Sequence, residues 1–195
     1  MAMKDQYEHI EWVDLEETFH LKYGKHYAPI NEVFRFSQEQ EDDFICICNS
    51  DIILNIEKEE IKKIEKLMQE SIIVLNRVDY KNKFEDGIFY LGGMDVFFIH
   101  KKYMKIYPES KFVLGQCHWD YWVPYRAIKS DVKVTFLNNR FAYHKEHALQ
   151  YNTKSWIRTG REFMNVEGFP SSGDVGKVSE DVFHEIQSTA ERIWI

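Results

Sequence analysis

Residues able to do chemistry in this chain fall at the ends of short apolar runs, where a folded element can aim them at a ligand. Asn49-Ser50-Asp51 follows the run Phe44-Ile45-Cys46-Ile47-Cys48. A carboxylate with a neighbouring amide suits a hard divalent ion that keeps several waters and takes its remaining oxygens from a substrate's phosphates. The same residue types also dominate turns through local side-chain hydrogen bonds, so a plain turn is the competing reading. His144 and His147 are three residues apart and have no cysteines at zinc spacing. That argues against a closed structural zinc site and leaves room for an open metal site completed by Asp51. Asp95 stands inside Met94-Asp95-Val96-Phe97-Phe98-Ile99, where a carboxylate needs a partner unless it lies at a strand start or edge. Asp120 lies within Gln116-Cys117-His118-Trp119-Asp120-Tyr121-Trp122, whose aromatics form either a sugar-stacking wall or core. Arg77 and Asp79 sit just beyond the run Ile72-Ile73-Val74-Leu75.

The elements that must position these residues follow from periodicity. Phe44 to Cys48 is too short for a buried helix and reads as a central buried strand with Asp51 at its tip. In open α/β sheets ligands bind outside such carboxyl ends. A helix is expected over residues 29–40, with Pro29 in its first turn and Ile30, Val33, Phe34 and Ser37 at helical spacing. Asn55 can cap a second helix whose apolar face is Ile61, Ile64, Leu67 and Met68. A strand over residues 71–76 then completes a strand, helix, strand unit of the kind that builds a parallel sheet. Two apolar pieces, 88–91 and 94–99, are separated by Gly92-Gly93, and a short helix is expected over 100–107. Asp120 opens a helix to about Lys129, because Pro124 is tolerated only near its start. Extended pieces are expected at 132–136 and 140–143, and a last helix from Ser179. A short strand at 11–15 is a further candidate.

Composition bounds the rest. The 195 residues, 15% of them aromatic, suit one domain with a substantial core. Residues 1–27 are the least legible part, and 153–195 read as a loop and a helix. A net charge of −7 lacks the basic footprint of a nucleic-acid binder. No apolar run approaches a membrane span and the first residues are charged rather than signal-like, so a cytoplasmic protein is expected. Cys46, Cys48 and Cys117 read as core thiols.

In order, Tyr27-Ala28-Pro29-Ile30-Asn31-Glu32-Val33-Phe34, Asn49-Ser50-Asp51-Ile52, Gly93-Met94-Asp95-Val96-Phe97, His118-Trp119-Asp120-Tyr121-Trp122 and the 144–147 segment resemble nucleotide-sugar glycosyltransferases of the GT-A type, family 2-like. The resemblance spans roughly residues 29–152. It implies an α/β fold with a mixed, mostly parallel central sheet flanked by helices. The activity it implies is transfer of a sugar from a nucleotide-diphosphate donor to a glycan or other hydroxyl acceptor. Asn49-Ser50-Asp51 resembles the family's Asp-x-Asp metal motif with its first aspartate replaced, so that Asp51 carries Mn²⁺ or Mg²⁺ and Asn49 assists through water. Asp120 occupies the position of the base in inverting members. By the same resemblance Asp95 holds donor sugar or acceptor, Arg77 a phosphate or sugar hydroxyl, and His144 or His147 the metal or diphosphate. Only 48 residues precede Asn49, where the family places a nucleotide-binding unit. A partner chain completing the donor site is one consequence. The alternative is a non-catalytic carbohydrate- or partner-binding module that binds through Trp119, Tyr121 and Trp122.

Overall fold

A computed structural model describes residues 27–147 and 152–195, and the candidate strand at 11–15 lies outside them. Helix α1 (Ile30–Glu39) buries Ile30, Phe34 and Ser37, the stripe that its spacing predicts. Strands β1 (Phe44–Cys48) and β2 (Ile52–Leu54) are joined by residues 49–51. Helix α2 (Lys58–Met68) is capped by Glu57 and Glu60 in a reciprocal capping box rather than by Asn55. Three long or central pieces follow: β3 (Ser71–Tyr80), β4 (Ile88–His100) and β5 (Lys133–Lys145). Between β4 and β5 lie a 3₁₀ segment (Lys101–Ile106) and α3 (Trp119–Lys129). The chain closes with α4 (Thr153–Val166), α5 (Val175–Thr189) and β6 (Glu191–Ile193).

The sheet runs β1-β4-β3-β5-β2, with β6 alongside β5. It corrects the expected mostly parallel arrangement. Pairs β1/β4, β3/β4 and β2/β5 are antiparallel, and only β3/β5 and β5/β6 are parallel. The reason is the connection 81–87, too short for a parallel crossover, which returns β4 antiparallel against β3. Strand β4 thereby inserts between β1 and β3, so the strand, helix, strand unit survives in direction but its strands are not neighbours. Strand β1 is accordingly an outer strand rather than the central one, with Ile47 its single buried residue. Cys46 is exposed and Cys48 and Cys117 are partly exposed, so these thiols are not core.

The two outermost strands of this order, β1 and β2, are joined directly through Asn49, Ser50 and Asp51. The sheet therefore curls back on itself into a nearly closed, barrel-like form. Alternate residues of β3 enter different cores: Ile72 and Val74 pack with α1, α3, α4 and α5, while Ile73 and Leu75 pack with Ile64 and Met68 of α2. Burial on both faces is why these strands read as unbroken apolar runs. The long strands bend midway, where β3 shifts register against β4 and β5 around Asn76. Asn76, 1% exposed, holds the bend by donating to the Leu91 and Gly93 carbonyls. Bulges of this kind redirect side chains beside functional sites.

Candidate active-site cleft

The bend opens a cleft of about 1160 Å³ between the sheet and helices α3, α4 and α5. Asp51, Asp79, Arg77, Asp95, Asn49, His144, His147, Asp120 and Trp119 all line it. Antiparallel pairing of Ile52 with His144 sets Asp51 beside the end of β5, although 96 residues separate Asp51 from His147. His147 Nε2 lies 3.2 Å from Asp51 Oδ2, His144 Nε2 lies 3.5 Å from the same oxygen, and the two Nε2 atoms are 3.1 Å apart. Ligand atoms about 2.1 Å from one metal and roughly at right angles to each other are about 3 Å apart, so the triangle has the size that a divalent ion requires. On its far side, His144 Nδ1 meets Asp79 Oδ1 at 2.9 Å. A carboxylate on the outer nitrogen fixes the tautomer that points a lone pair inward, as metal-bound histidines generally require.

The polar chain continues along the sheet wall. Arg77 Nε donates to Asp79 Oδ1 at 2.8 Å and its Nη1 donates to Asp95 Oδ2 at 2.9 Å. The guanidinium also lies over the Tyr90 ring, 4.8 Å from its centroid. Gly93 permits this, because a Cβ there would stand 2.8 Å from Arg77 Cγ. Asn49 Nδ2 donates to the other Asp95 oxygen at 2.7 Å, while Asn49 Oδ1 is buried without a protein partner. The geometry accounts for asparagine at this position: an aspartate would press a second carboxylate against Asp95 at hydrogen-bond distance. Asp95 is 5% exposed and its charge is met by Arg77 and Asn49, as a buried carboxylate demands.

Asp120 occupies the first turn of α3, its Oδ1 accepting from the Tyr121 N–H at 3.1 Å. Burial pushes its carboxyl up to about 7, and the negative charge of Asp95 adds to the shift. At neutral pH the group is therefore divided between acid and base, the condition in which a carboxylate both accepts and returns a proton. The start of α3 is pinned by His118, a left-handed residue with φ 74° whose ring nitrogens each lie 3.0 Å from a hydroxyl, Thr159 Oγ1 of α4 and Ser179 Oγ of α5. Burial draws its imidazole down to about 4.

Two of the aromatics proposed from the sequence are structural. Trp122 is fully buried among Phe34, Tyr107 and Phe112, donates from its indole to Glu167, and is not a lining residue of the cleft. Trp119 touches the cleft but is 1% exposed and packs edge-on against Phe97. Trp156 and Phe183 join the cleft without having been singled out, and so do Asp79 and Cys48, to which the sequence assigned no part in the site. For Asp79 a signal existed: it is two residues from Arg77 on a strand and so shares its face.

Comparisons with protein-family models, with curated proteins and with solved structures give no match for this chain. Among the described residues, no helix is long and apolar enough to cross a membrane.

Proposed function

We propose that the chain is a metal-dependent transferase that moves a sugar from a nucleotide-diphosphate donor to a hydroxyl acceptor. The observation that carries this reading is the meeting, in one cleft, of the Asp51, His144 and His147 triangle with an aspartate poised near neutrality. Charge supports it as well. The described lining residues include six carboxylates, Asp51, Asp79, Asp95, Asp120, Glu146 and Glu180, against one guanidinium, Arg77, already held by two of them. A diphosphate entering such a cleft is repelled unless a divalent cation accompanies it.

Two imidazoles and one carboxylate fit Mn²⁺ better than Mg²⁺, which prefers an all-oxygen shell. When bound, the ion neutralises charge developing on the departing diphosphate. Asp51, His144 and His147 would hold it, with Asp79 orienting His144. Asp120 takes the proton of the acceptor hydroxyl as that oxygen forms its bond to the anomeric carbon. The bond from that carbon to the diphosphate oxygen breaks, its electron pair leaves with the nucleoside diphosphate, and Asp120 releases its proton to solvent. The Arg77 guanidinium faces the donor from the sheet wall, with Asn49 beside it.

Incubation with UDP-, GDP- and CDP-sugars plus Mn²⁺ tests the reading through release of nucleoside diphosphate, with water serving as acceptor. Release from one donor class, abolished by chelation and by Asp120→Asn, is expected. Absence of release from all three, or release that both treatments leave untouched, refutes it.

A further inference from the structure

Opposite the sheet wall, the cleft has a second wall built by α3, α4, α5 and the loop before α3. Its ring contacts form a connected group: Trp156 lies 5.2 Å from His118, and Tyr121 stacks on Phe183 at 5.8 Å and 27°. All three of Tyr121, Trp156 and Phe183 are partly exposed, unlike Trp119 and Trp122 beneath them. Interleaved with the rings are the Gln116 amide, which reaches the Tyr27 hydroxyl at 2.8 Å, and the exposed Glu180 carboxylate. No lysine or arginine is among the described lining residues on this side. Aromatic faces beside an amide and a carboxylate, with no cation, suit a neutral polyhydroxylated ring: apolar C–H faces lie on the rings and hydroxyls meet the polar groups.

We infer that this helical wall is an acceptor subsite for a neutral pyranose, bound through Trp156, Phe183 and Tyr121 with Gln116 and Glu180 taking hydroxyls. The assignment rests on the transferase reading for its direction. The metal triangle lies on the sheet wall, and Asp120, which senses Asp95 and Arg77 on that wall, is adjacent in α3 to Tyr121. On that reading Asp120 must reach the acceptor hydroxyl, and Tyr121 follows it directly in α3, so the wall that carries Tyr121 receives the acceptor rather than the base.

Saturation-transfer NMR on the full chain, without donor or metal, tests this with methyl glycosides of glucose, galactose, mannose and N-acetylglucosamine, and with uridine, guanosine and cytidine as controls. At least one glycoside should receive saturation on its ring C–H protons, and its affinity should fall at least tenfold in Trp156→Ala and in Phe183→Ala. Glu180→Gln, a surface change, should weaken the same glycoside and carries the test if an aromatic variant does not fold. Asp51→Ala should leave glycoside binding intact, which separates this subsite from the metal-dependent chemistry. Should donor turnover be absent while the glycoside still binds through Trp156 and Phe183, the transferase reading fails and the sugar subsite stands. Saturation of no glycoside, saturation that survives all three variants, or a nucleoside displacing the glycoside from these rings overturns the inference.

Discussion

At the scale of single residues, the site depends on charges held at defined protonation. Asp120→Asn keeps the shape of the group and removes its proton chemistry, so nucleoside diphosphate release should fall roughly hundredfold to ten-thousandfold. The same variant carries a stability signature. Because burial raises the Asp120 carboxyl of the wild type to about 7 from its ordinary 3.8, the native state holds a proton that the unfolded chain has released between those values. Native stability therefore falls as pH rises through that window. Thermal melts of Asp120→Asn at pH 5 and pH 8 should show this loss removed, with the variant the more stable of the two proteins at pH 8. Activity in the wild type should rise through about pH 7 as the base form accumulates. For Asp79→Asn, the expected outcome is a roughly tenfold to hundredfold loss of metal affinity with the three ligands untouched, read by metal titration. Cys48 is a separate handle: a hydrogen bond with Cys46 draws its thiol down to about 7, and it lines the cleft. Alkylation by iodoacetamide at pH 7.5 should modify it ahead of Cys117, which burial pushes up to about 12, and a bound metal-nucleotide should slow the reaction.

Elements reach the site through two close approaches. Gly160 of α4 faces Val175 of α5, and an added methyl would overlap Val175 Cγ1 and press on His118. Gly160→Ala should cost about 1–3 kcal/mol by overpacking, measured as a lowered denaturation midpoint. It should also disturb Asp120 through the start of α3. The same contact explains why α4 is absent from the sequence reading: its buried stripe is Thr159, Gly160, Phe163 and Met164, half of it not apolar. Helices α1, α2 and α3 present continuous apolar or capped patterns and were legible. Strands β4 and β5 read as two pieces each because Gly92-Gly93 and Asn138-Asn139 are polar or flexible breaks, yet both lie within strands, at the bend that forms the cleft. Among the site residues, Asp51 was legible at the tip of an apolar run, Asp95 as a carboxylate inside one, and Asp120 among aromatics at a helix start. Their mutual distances were not, since these depend on register across the sheet.

The whole molecule turns on how the sheet closes. Sequence periodicity reports which faces are buried but not the order of strands, and a run buried on both faces reads alike in parallel and antiparallel sheets. The insertion of β4 between β1 and β3 is therefore legible only in the length of 81–87. That curl brings outer strands β1 and β2 together through the turn that bears Asp51, so folding and the proposed metal site share one joint. Binding confined to the native state stabilises it by mass action, about 2.7 kcal/mol at a hundredfold excess over Kd, so Mn²⁺ should raise the melting temperature and a chelator reverse it. The most direct measurement is an electron paramagnetic resonance titration of the chain with Mn²⁺, compared with Asp51→Ala, His144→Ala and His147→Ala. One site per chain, weakened at least tenfold in each variant and far less sensitive to competing Mg²⁺ than to Zn²⁺, is the predicted result. No bound Mn²⁺ in the wild type, or equal affinity in all four proteins, would contradict the account.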